Sequence, residues 1–302
     1  MNLPIDSKVQ PRRNVELAKF CTMKIGGIAD YFAEPRTEEE LTDLLQFSRD
    51  EKLNVFILGK GSNVVFADAG FRGLVITLIH YGDQDIRIHS AVHELTASAG
   101  VHLYRLALAA KEAGLSGIEF LSGIPGTVGG AVMMNAGFSR FAGQKNEIAD
   151  IIREITVLDE TGCKKRLQRD EIDFRYRHSG LQGMIILDAT FRLWRRPQEL
   201  IEEEIKANFD YRNKEQDLKH PSSGSIFKNP PSPHPSAGRL IDQLGLKGTQ
   251  VGSMKVSPKH GNYFINTGQA SCADLVGLIT KIQGIVKDEC GIDLEPEVRI
   301  IH

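Results

Sequence analysis

The chain has 302 residues, 41% of them hydrophobic and 25% charged, and a formal net charge of −2. This balance is that of an ordinary globular protein, long enough to bury more than one hydrophobic core. The small net charge and the absence of a long basic run argue against nucleic acid or an anionic membrane as a partner.

The N-terminal residues 1–14 lack the apolar segment of a secretory signal. The cysteines are far apart and form no C-x-x-C pair, which argues against a disulfide framework or a metal site and fits a reducing compartment. We therefore expect a cytoplasmic protein without a metal, whose thiols are small, mostly buried apolar groups. The four cysteines are Cys21, Cys163, Cys272 and Cys290.

The first glycine loop follows a helix and a short strand. The helix begins after Thr37, which has the capping-box spacing with Glu40. The strand, residues 55–58, runs into the loop Gly59–Asn63. This loop is neither a P-loop nor the Rossmann fingerprint, because no Gly-Lys-Ser/Thr closes it and a strand follows it. Its backbone N–H groups could wrap a phosphate, but its spacing alone favours a plain connection between strands.

A second glycine-rich stretch, Gly114–Gly137, contains an uncharged run from Phe120 to Ser139. Its glycines and Pro125 break any long helix, so it is not a membrane span. One interpretation is a buried turn assembly that brings backbone N–H groups close to an anionic or flat ligand. A tight hairpin whose glycines serve only positive φ angles explains the run equally well.

The second half of the chain predicts two long helices and several strands. Pro197 suits the first turn of a helix that extends to about Tyr211, and a long loop, 213–235, follows. Ser271 is expected to cap the longest helix, and a closing strand is expected over Leu294–Ile301. The strand Met184–Trp194 before Pro197 should turn four apolar residues to one face, which are Leu187, Ala189, Phe191 and Leu193.

Seven motifs in a fixed order resemble those of a known family. They are KIGG (24–27), LGKGSN (58–63), GIPGTVGGA with MNAG (123–131 and 134–137), Tyr176-Arg177, GSIFKNP (224–230), VSPKHGNYFIN (256–266) and LEPEVR (294–299). The chain resembles the UDP-N-acetylenolpyruvoylglucosamine reductase (MurB) family of peptidoglycan synthesis, and the resemblance covers nearly its whole length. The short segment after LEPEVR is similar to the shorter, type II subgroup of that family.

The resemblance implies an α+β fold. A two-part FAD-binding unit of the FAD-linked oxidase (PCMH) type, residues 1–196 with lobes of about 1–70 and 71–196, precedes a C-terminal α/β substrate-binding domain, 197–294. The last strand, 295–302, is expected to return to the first lobe.

The resemblance also implies non-covalent FAD and NADPH as hydride donor. The reaction would reduce the enolpyruvyl group of UDP-N-acetylglucosamine enolpyruvate to UDP-N-acetylmuramate, and we expect a monomer with small-molecule partners only. The first glycine loop would wrap the pyrophosphate, and the second would line the flavin. The implied cofactor-binding residues are Gly59, Lys60, Gly61, Ser62, Asn63, Val64, Gly123, Ile124, Pro125, Gly126, Thr127, Val128, Gly130 and Ala131.

The family's catalytic trio corresponds here to Arg177, Ser225 and Glu297. Hydride addition leaves an enolate, whose developing charge needs a cation such as Arg177. Glu297 would share this work, and Ser225 would donate the proton to carbon two, with Lys228 lowering the cost of the alkoxide. Tyr176, Lys228 and Asn229 are the implied substrate contacts, and His260 is expected to be structural.

Two segments depart from the family pattern. Residues 138–143 replace a common Tyr-Gly continuation, and Ser223 replaces an alanine two residues before Ser225. Two alternatives stay open: a FAD- or nucleotide-binding protein of this fold without reductase turnover, and another FAD-linked oxidase. The second would have no reason to carry the Ser225 loop.

Overall fold

The computed structural model describes residues 9–141 and 146–302, so part of the departing segment 138–143 lies outside the described residues. The described chain divides into two compact units, and each unit draws on three separate segments. The domain boundaries implied by the resemblance, 1–196 and 197–294, stay a prediction. The first unit contains the described residues up to Arg12, Phe32–Lys60 and Gly73–Arg212; the second contains Arg13–Tyr31, Gly61–Arg72 and Asn213–His302.

The described residues form both helices and strands. The helices are α1 (Glu38–Asp50), α2 (Leu103–Glu112), α3 (Val128–Met133), α4 (Gln198–Glu215), α5 (Ala237–Gln243) and α6 (Cys272–Cys290). The strands are β1 (Arg12–Glu16), β2 (Ile28–Ala33), β3 (Asn54–Leu58), β4 (Val64–Phe66), β5 (Phe71–Thr77), β6 (Ile86–His89), β7 (Glu94–Ser98), β8 (Leu115–Ser116), β9 (Ile152–Leu158), β10 (Lys164–Gln168), β11 (Ile185–Arg192), β12 (Trp194–Arg195), β13 (Ser222–Ser225), β14 (Gln250–Val251), β15 (Met254–Val256), β16 (Tyr263–Asn266) and β17 (Arg299–Ile301).

An antiparallel sheet in the order β10-β9-β11-β7-β6 forms the centre of the first unit. Helix α3 packs against β11 and β7. The predicted inward face of β11 is confirmed, because Leu187, Ala189 and Phe191 are buried, as is Leu193 just after the strand. In the same unit β3 runs parallel to β5, and the end of β3 leads into the first glycine loop.

The second unit has a sheet in the order β13-β16-β15-β14, and α5 and α6 belong to the same hydrophobic core. Ile226 and Phe227 follow β13 directly and are buried in that core beside Phe264 of β16. A separate pair, β4 and β17, is parallel, with Arg299 opposite Val64. The segment that contains Glu297 therefore leads into a strand beside the end of the first glycine loop.

Helix α6 begins and ends as its sequence predicts. Ser271 accepts a hydrogen bond from the Asp274 N–H, and the Asp274 carboxylate accepts one from the Ser271 N–H, so the capping box is complete. Gly291 ends the helix at a φ of 70°, the left-handed conformation typical of a C-terminal glycine. Asp68 adds a second cap, because its carboxylate accepts from the N–H groups of Cys272 and Ala273.

Several local predictions were wrong. Thr37 does cap α1, but the Glu40 carboxylate accepts from the N–H of Arg36, so the predicted capping box is only half formed. The predicted loop 213–235 contains the end of α4 and the whole of β13, whose hydroxyl-rich sequence has no apolar alternation.

The closing strand is also shorter than predicted. It covers only Arg299–Ile301, because Glu297 is used instead to bond the backbone after β13. The cysteines are divided: Cys21 and Cys272 are buried, but Cys163 and Cys290 are exposed. No helix in the described residues is both long and apolar enough to cross a membrane.

Candidate active site

The first glycine loop passes from the first unit to the second after Lys60. Gly59 lies against Thr127, so that an added Cβ would be 2.7 Å from Thr127 Oγ1. Lys60 Nζ lies 3.2 Å from Nδ1 of His102. Burial lowers the pKa of His102, and the nearby charges of Lys60 and Arg105 lower it further. The imidazole is therefore neutral near pH 7 and can accept the Lys60 hydrogen bond.

The backbone N–H groups of Gly59–Asn63 have no acceptor in the described part of the chain. The carbonyls are used by the protein: Gly61 O accepts from the Thr22 N–H at 2.9 Å, and Asn63 O accepts from the Arg299 N–H at 3.0 Å. Consecutive amides that face away from protein acceptors bind phosphate oxygens well. The donor set of this loop therefore fits the diphosphate of FAD.

In the second glycine stretch, Gly123 and Gly129 serve close packing. An added Cβ on Gly129 would be 3.0 Å from the Cβ of Ala99, and one on Gly123 would be 2.8 Å from Cδ of Arg212. Positive φ angles occur only at the start of the stretch, at Gly114 and Gly117, among its glycines. The hairpin interpretation, in which the glycines serve only positive φ angles, is therefore wrong. The turn assembly includes the six-residue helix α3.

Arg177 lies in the first unit on a two-residue turn. Arg175 and His178 flank the turn and exchange backbone hydrogen bonds of 2.9 and 3.0 Å. Arg177 adopts a φ of 56°, and its Nη2 donates to the carbonyl of Gly137 at 3.1 Å. Its guanidinium also lies 5.0 Å from the ring centre of Tyr176. These contacts fix the direction of a half-buried cation.

Asn135 holds this turn against the MNAG motif. It is 1% exposed, and its Nδ2 donates to the carbonyl of Arg175 and to the Glu147 carboxylate, both at 2.9 Å. Its Oδ1 accepts from the Ala149 N–H. The sequence identified Asn135 only as part of a motif, and its role in holding the Arg177 turn was missed.

Ser225 ends β13 in the second unit. It lies opposite Tyr263 of β16, and the register shifts at the bulge between Ser222 and Ser225. Gly224, at a φ of 77°, lies in that bulge, and an added Cβ there would meet no atom within 4 Å. The irregular backbone at the end of β13 therefore sets the direction of Ser225. This part of the strand borders open space. The neighbouring Ser223 hydroxyl is buried and has no hydrogen-bond partner among the described residues.

Glu297 is bonded to the same region through its backbone. Its N–H donates to the carbonyl of Ile226, next to Ser225, at 2.7 Å. Its carbonyl accepts from Nδ2 of Asn63 at 3.1 Å. The second unit thus brings the segments of Ser225 and Glu297 together with the end of the first glycine loop.

Lys228 and Asn229 already have partners in the second unit. Lys228 Nζ lies 2.5 Å from Glu295 Oε1, and the Lys228 N–H donates to the Glu295 carbonyl. Asn229 Oδ1 accepts from the N–H of Ala237 at the start of α5. The ion pair competes with the predicted role of Lys228 beside Ser225, and the substrate contacts of both residues stay predictions.

His260 is a structural residue in its geometry. Its Nδ1 accepts from the N–H of Asn262, and its ring packs edge-on to Tyr263 at 4.8 Å. Burial lowers its pKa, which favours the neutral ring that this bond requires. Asn262, which the sequence analysis missed, bonds both backbone groups of Phe227 and so supports the segment after Ser225.

Two family models match the chain in these two regions. Residues 29–167 match an FAD binding domain, and residues 216–301 match the C-terminal domain of UDP-N-acetylenolpyruvoylglucosamine reductase. The class is therefore that of proteins with an FAD-binding domain followed by this C-terminal domain. The predicted α+β fold class is confirmed.

The relatives narrow the class further. The chain is 42% identical to UDP-N-acetylenolpyruvoylglucosamine reductase of Synechococcus sp. (strain RCC307), over 99% of this chain and 95% of that protein. It is 41% identical to the protein of that name from Moorella thermoacetica, over 97% and 94%. A solved structure, UDP-N-acetylenolpyruvylglucosamine reductase (MurB) from Thermus caldophilus, superposes with a TM-score of 0.81 at 34% identity, over 97% and 100%. The chain belongs to the UDP-N-acetylenolpyruvoylglucosamine reductase (MurB) family.

Proposed function

We propose that this protein is an NADPH-dependent flavoenzyme that reduces UDP-N-acetylglucosamine enolpyruvate to UDP-N-acetylmuramate in peptidoglycan synthesis. Family membership and the FAD-binding domain support the class of reaction. The observation that carries the proposal is the bonding of the Ser225 and Glu297 segments to the end of the first glycine loop. This bonding supports a role for Ser225 as proton donor and for the Glu297 carboxylate beside the loop that would hold the cofactor diphosphate.

FAD, when bound, supplies the chemistry of accepting a hydride from NADPH and passing it from N5 to carbon three of the enolpyruvyl group. The Gly59–Asn63 amides would hold its diphosphate, and residues 123–131 would border its ring. The chain's own task is then to stabilise the enolate charge and to place one proton.

Arg177 would stabilise the negative charge that develops on the enolate and its carboxylate. Its guanidinium is already oriented by the Gly137 carbonyl and the Tyr176 ring, so little reorganisation is needed as the charge develops. Glu297 would share the enolate's charge through a proton or hold the arginine in place.

Ser225 would protonate carbon two, and water would restore the proton to its oxygen. The balance is one hydride from NADPH and one proton from solvent through Ser225, giving NADP⁺ and the saturated product. A serine hydroxyl is a weak acid, so the step depends on nearby positive charge, which Lys228 would supply when released from Glu295.

The visible spectrum of the purified protein tests this proposal. We expect a yellow protein that NADPH bleaches and that the enolpyruvyl substrate then reoxidises. A protein that takes up no FAD contradicts the proposal. Bleaching without reoxidation by substrate favours the alternative of a flavin-binding protein of this fold without reductase turnover.

A further inference from the structure

Thr22 lies between the first glycine loop and the strand that ends at Ser225. Its N–H donates to the Gly61 carbonyl at 2.9 Å, and its hydroxyl donates to the Ser222 carbonyl at 2.7 Å. The hydroxyl also lies 3.4 Å from the Gly61 carbonyl. All four residues belong to the second unit. One residue therefore bonds the loop that fits the cofactor diphosphate through its backbone and the strand of the proposed proton donor through its side chain.

The loop lies in close contact with the turn that contains Thr22. Gly61 adopts a φ of 65°, and an added Cβ there would be 2.0 Å from the Phe20 carbonyl oxygen and 3.0 Å from Cα of Cys21. The turn formed by residues 20–22 thus lies directly against the loop. The loop sets the position of Thr22. The Thr22 hydroxyl in turn sets the position of the Ser222 carbonyl by its hydrogen bond.

Strand β13 is irregular just beyond Ser222, the residue that Thr22 bonds. The register between β13 and β16 shifts between Ser222 and Ser225, and Gly224 lies in this bulge with open space around it. A bulge disrupts the regular ladder and re-aims the side chains beyond it. The bond to Ser222 fixes the strand just before the bulge, and Asn262 fixes the backbone just after it, at Phe227. Ser225 lies between these two anchors.

We propose that Thr22 is a positioning residue for the proton transfer, which sets the Ser225 hydroxyl relative to the cofactor loop through the Ser222 carbonyl. The inference rests on the proposed function, because it assigns Ser225 the donation of the proton. Thr22 itself touches no reacting atom in this arrangement. Its loss should slow the step that needs Ser225 and spare the step that does not.

The decisive variant is Thr22→Val, which keeps the shape and the backbone N–H but removes the hydroxyl. Stopped-flow absorbance would follow flavin bleaching by NADPH and flavin reoxidation by the substrate separately. We expect bleaching within about twofold of wild type and reoxidation slower by about tenfold, because small misplacements of a reacting group cost rates of this order. Thr22→Ser should restore reoxidation. If Thr22→Val does not fold, Thr22→Ala replaces it.

Thr267→Val is the matched control. Thr267 is exposed, lies in the same unit and donates its hydroxyl to the Ser253 carbonyl at 2.9 Å, away from Ser225. Its loss removes the same kind of hydrogen bond and should leave both half-reactions unchanged. FAD affinity, measured by fluorescence titration, should stay within about threefold in Thr22→Val because the Thr22 N–H still bonds Gly61.

A double-mutant cycle with Ser225→Ala separates positioning from general damage. If Thr22 acts through Ser225, adding Thr22→Val to Ser225→Ala should slow reoxidation no further. Additive losses, equal slowing of both half-reactions or wild-type reoxidation in Thr22→Val would each overturn the inference. Failure of the wild-type protein to bind FAD or to be reoxidised by the substrate would instead overturn the proposed function.

Discussion

The second glycine stretch of the first unit and the Ser225–Glu297 region of the second unit are built by different means. In residues 123–131, Gly123 and Gly129 make close contacts, because the missing side chains let Arg212 and Ala99 approach the backbone. The segments of Ser225 and Glu297 are held, besides the pairing of β13 with β16, by hydrogen bonds that Thr22, Asn63 and the Glu297 N–H donate to backbone carbonyls. The proposed flavin surface would thus depend on shape, and the proposed proton donor on direction.

The largest expected effect is that of removing the Ser225 hydroxyl. Ser225→Ala should leave flavin bleaching by NADPH intact and slow reoxidation by the substrate by about 10²–10⁴, the usual contribution of a general acid. Stopped-flow absorbance measures both steps. Survival of both half-reactions would show that Ser225 is not the donor. The exposed Ser232, changed to alanine in the loop that follows, is a control for the loss of a hydroxyl.

Gly61 tests the first glycine loop, to which the Ser225 strand is bonded through Thr22. Gly61→Ala should lower the free energy of unfolding by about 3 kcal/mol and weaken FAD binding, because the added Cβ meets the Phe20 carbonyl at 2.0 Å as well as the left-handed φ. Chemical denaturation and fluorescence titration measure the two effects.

Gly245→Ala is the matched control for this change. Gly245 has a φ of 67° but no atom within 4 Å of an added Cβ, so only the backbone strain of about 1 kcal/mol should appear. Equal losses in the two variants would mean that the close approach to Phe20 is unimportant.

Contact packing is tested at Gly129. Gly129→Ala should lower the free energy of unfolding by about 1 kcal/mol, because the new methyl group lies 3.0 Å from the Cβ of Ala99. Adding Ala99→Gly should recover most of this loss. Gly284→Ala, in α6 with open space around it, should instead stabilise the protein by about 0.5–1 kcal/mol through helix propensity. Thermal unfolding measures the stability of Gly129→Ala, of the double variant with Ala99→Gly and of Gly284→Ala. If Ala99→Gly recovers none of the stability lost in Gly129→Ala, the packing explanation is refuted.

The smallest expected effect concerns pH. Burial holds the pKa of His260 below its ordinary value of 6.5, so the unfolded chain binds more protons than the folded chain in the window just below 6.5. The contribution of His260 to stability is therefore present above pH 6.5 and is lost as the pH falls through that window. Denaturation at a series of pH values should show a shallower slope in His260→Gln, with the exposed His234→Gln as the matched control. An unchanged slope in His260→Gln would contradict this assignment.

Much of the fold follows from local patterns in the sequence. Helix α6 was predictable because Ser271, an apolar stripe and Gly291 all indicate the same boundaries. Strand β13 was not, because its SSGS sequence has neither apolar alternation nor β-branched residues and forms only against β16. The same reason explains the short β17, since the backbone of Glu297 bonds Ile226 instead of a neighbouring strand.

The candidate site divides in the same way. Arg177, Ser225 and Glu297 were identified from a resemblance. Asn135 and Thr22, which hold the segments of Arg177 and Ser225, bond backbone carbonyl groups, and no sequence pattern shows which carbonyl accepts such a bond. Hydrogen bonds to a backbone carbonyl place no demand on the residue that accepts them. Only the three-dimensional arrangement could therefore reveal these supports.

The bond between Asn63 and Glu297 joins residues 234 positions apart in the chain. During synthesis, the loop that contains Asn63 leaves the ribosome long before Glu297 and β17 exist. The nascent loop therefore lacks the partners of Asn63 and of β4 until translation has passed residue 301. A chain that ends before Glu297 should therefore carry a first glycine loop that never gains these partners.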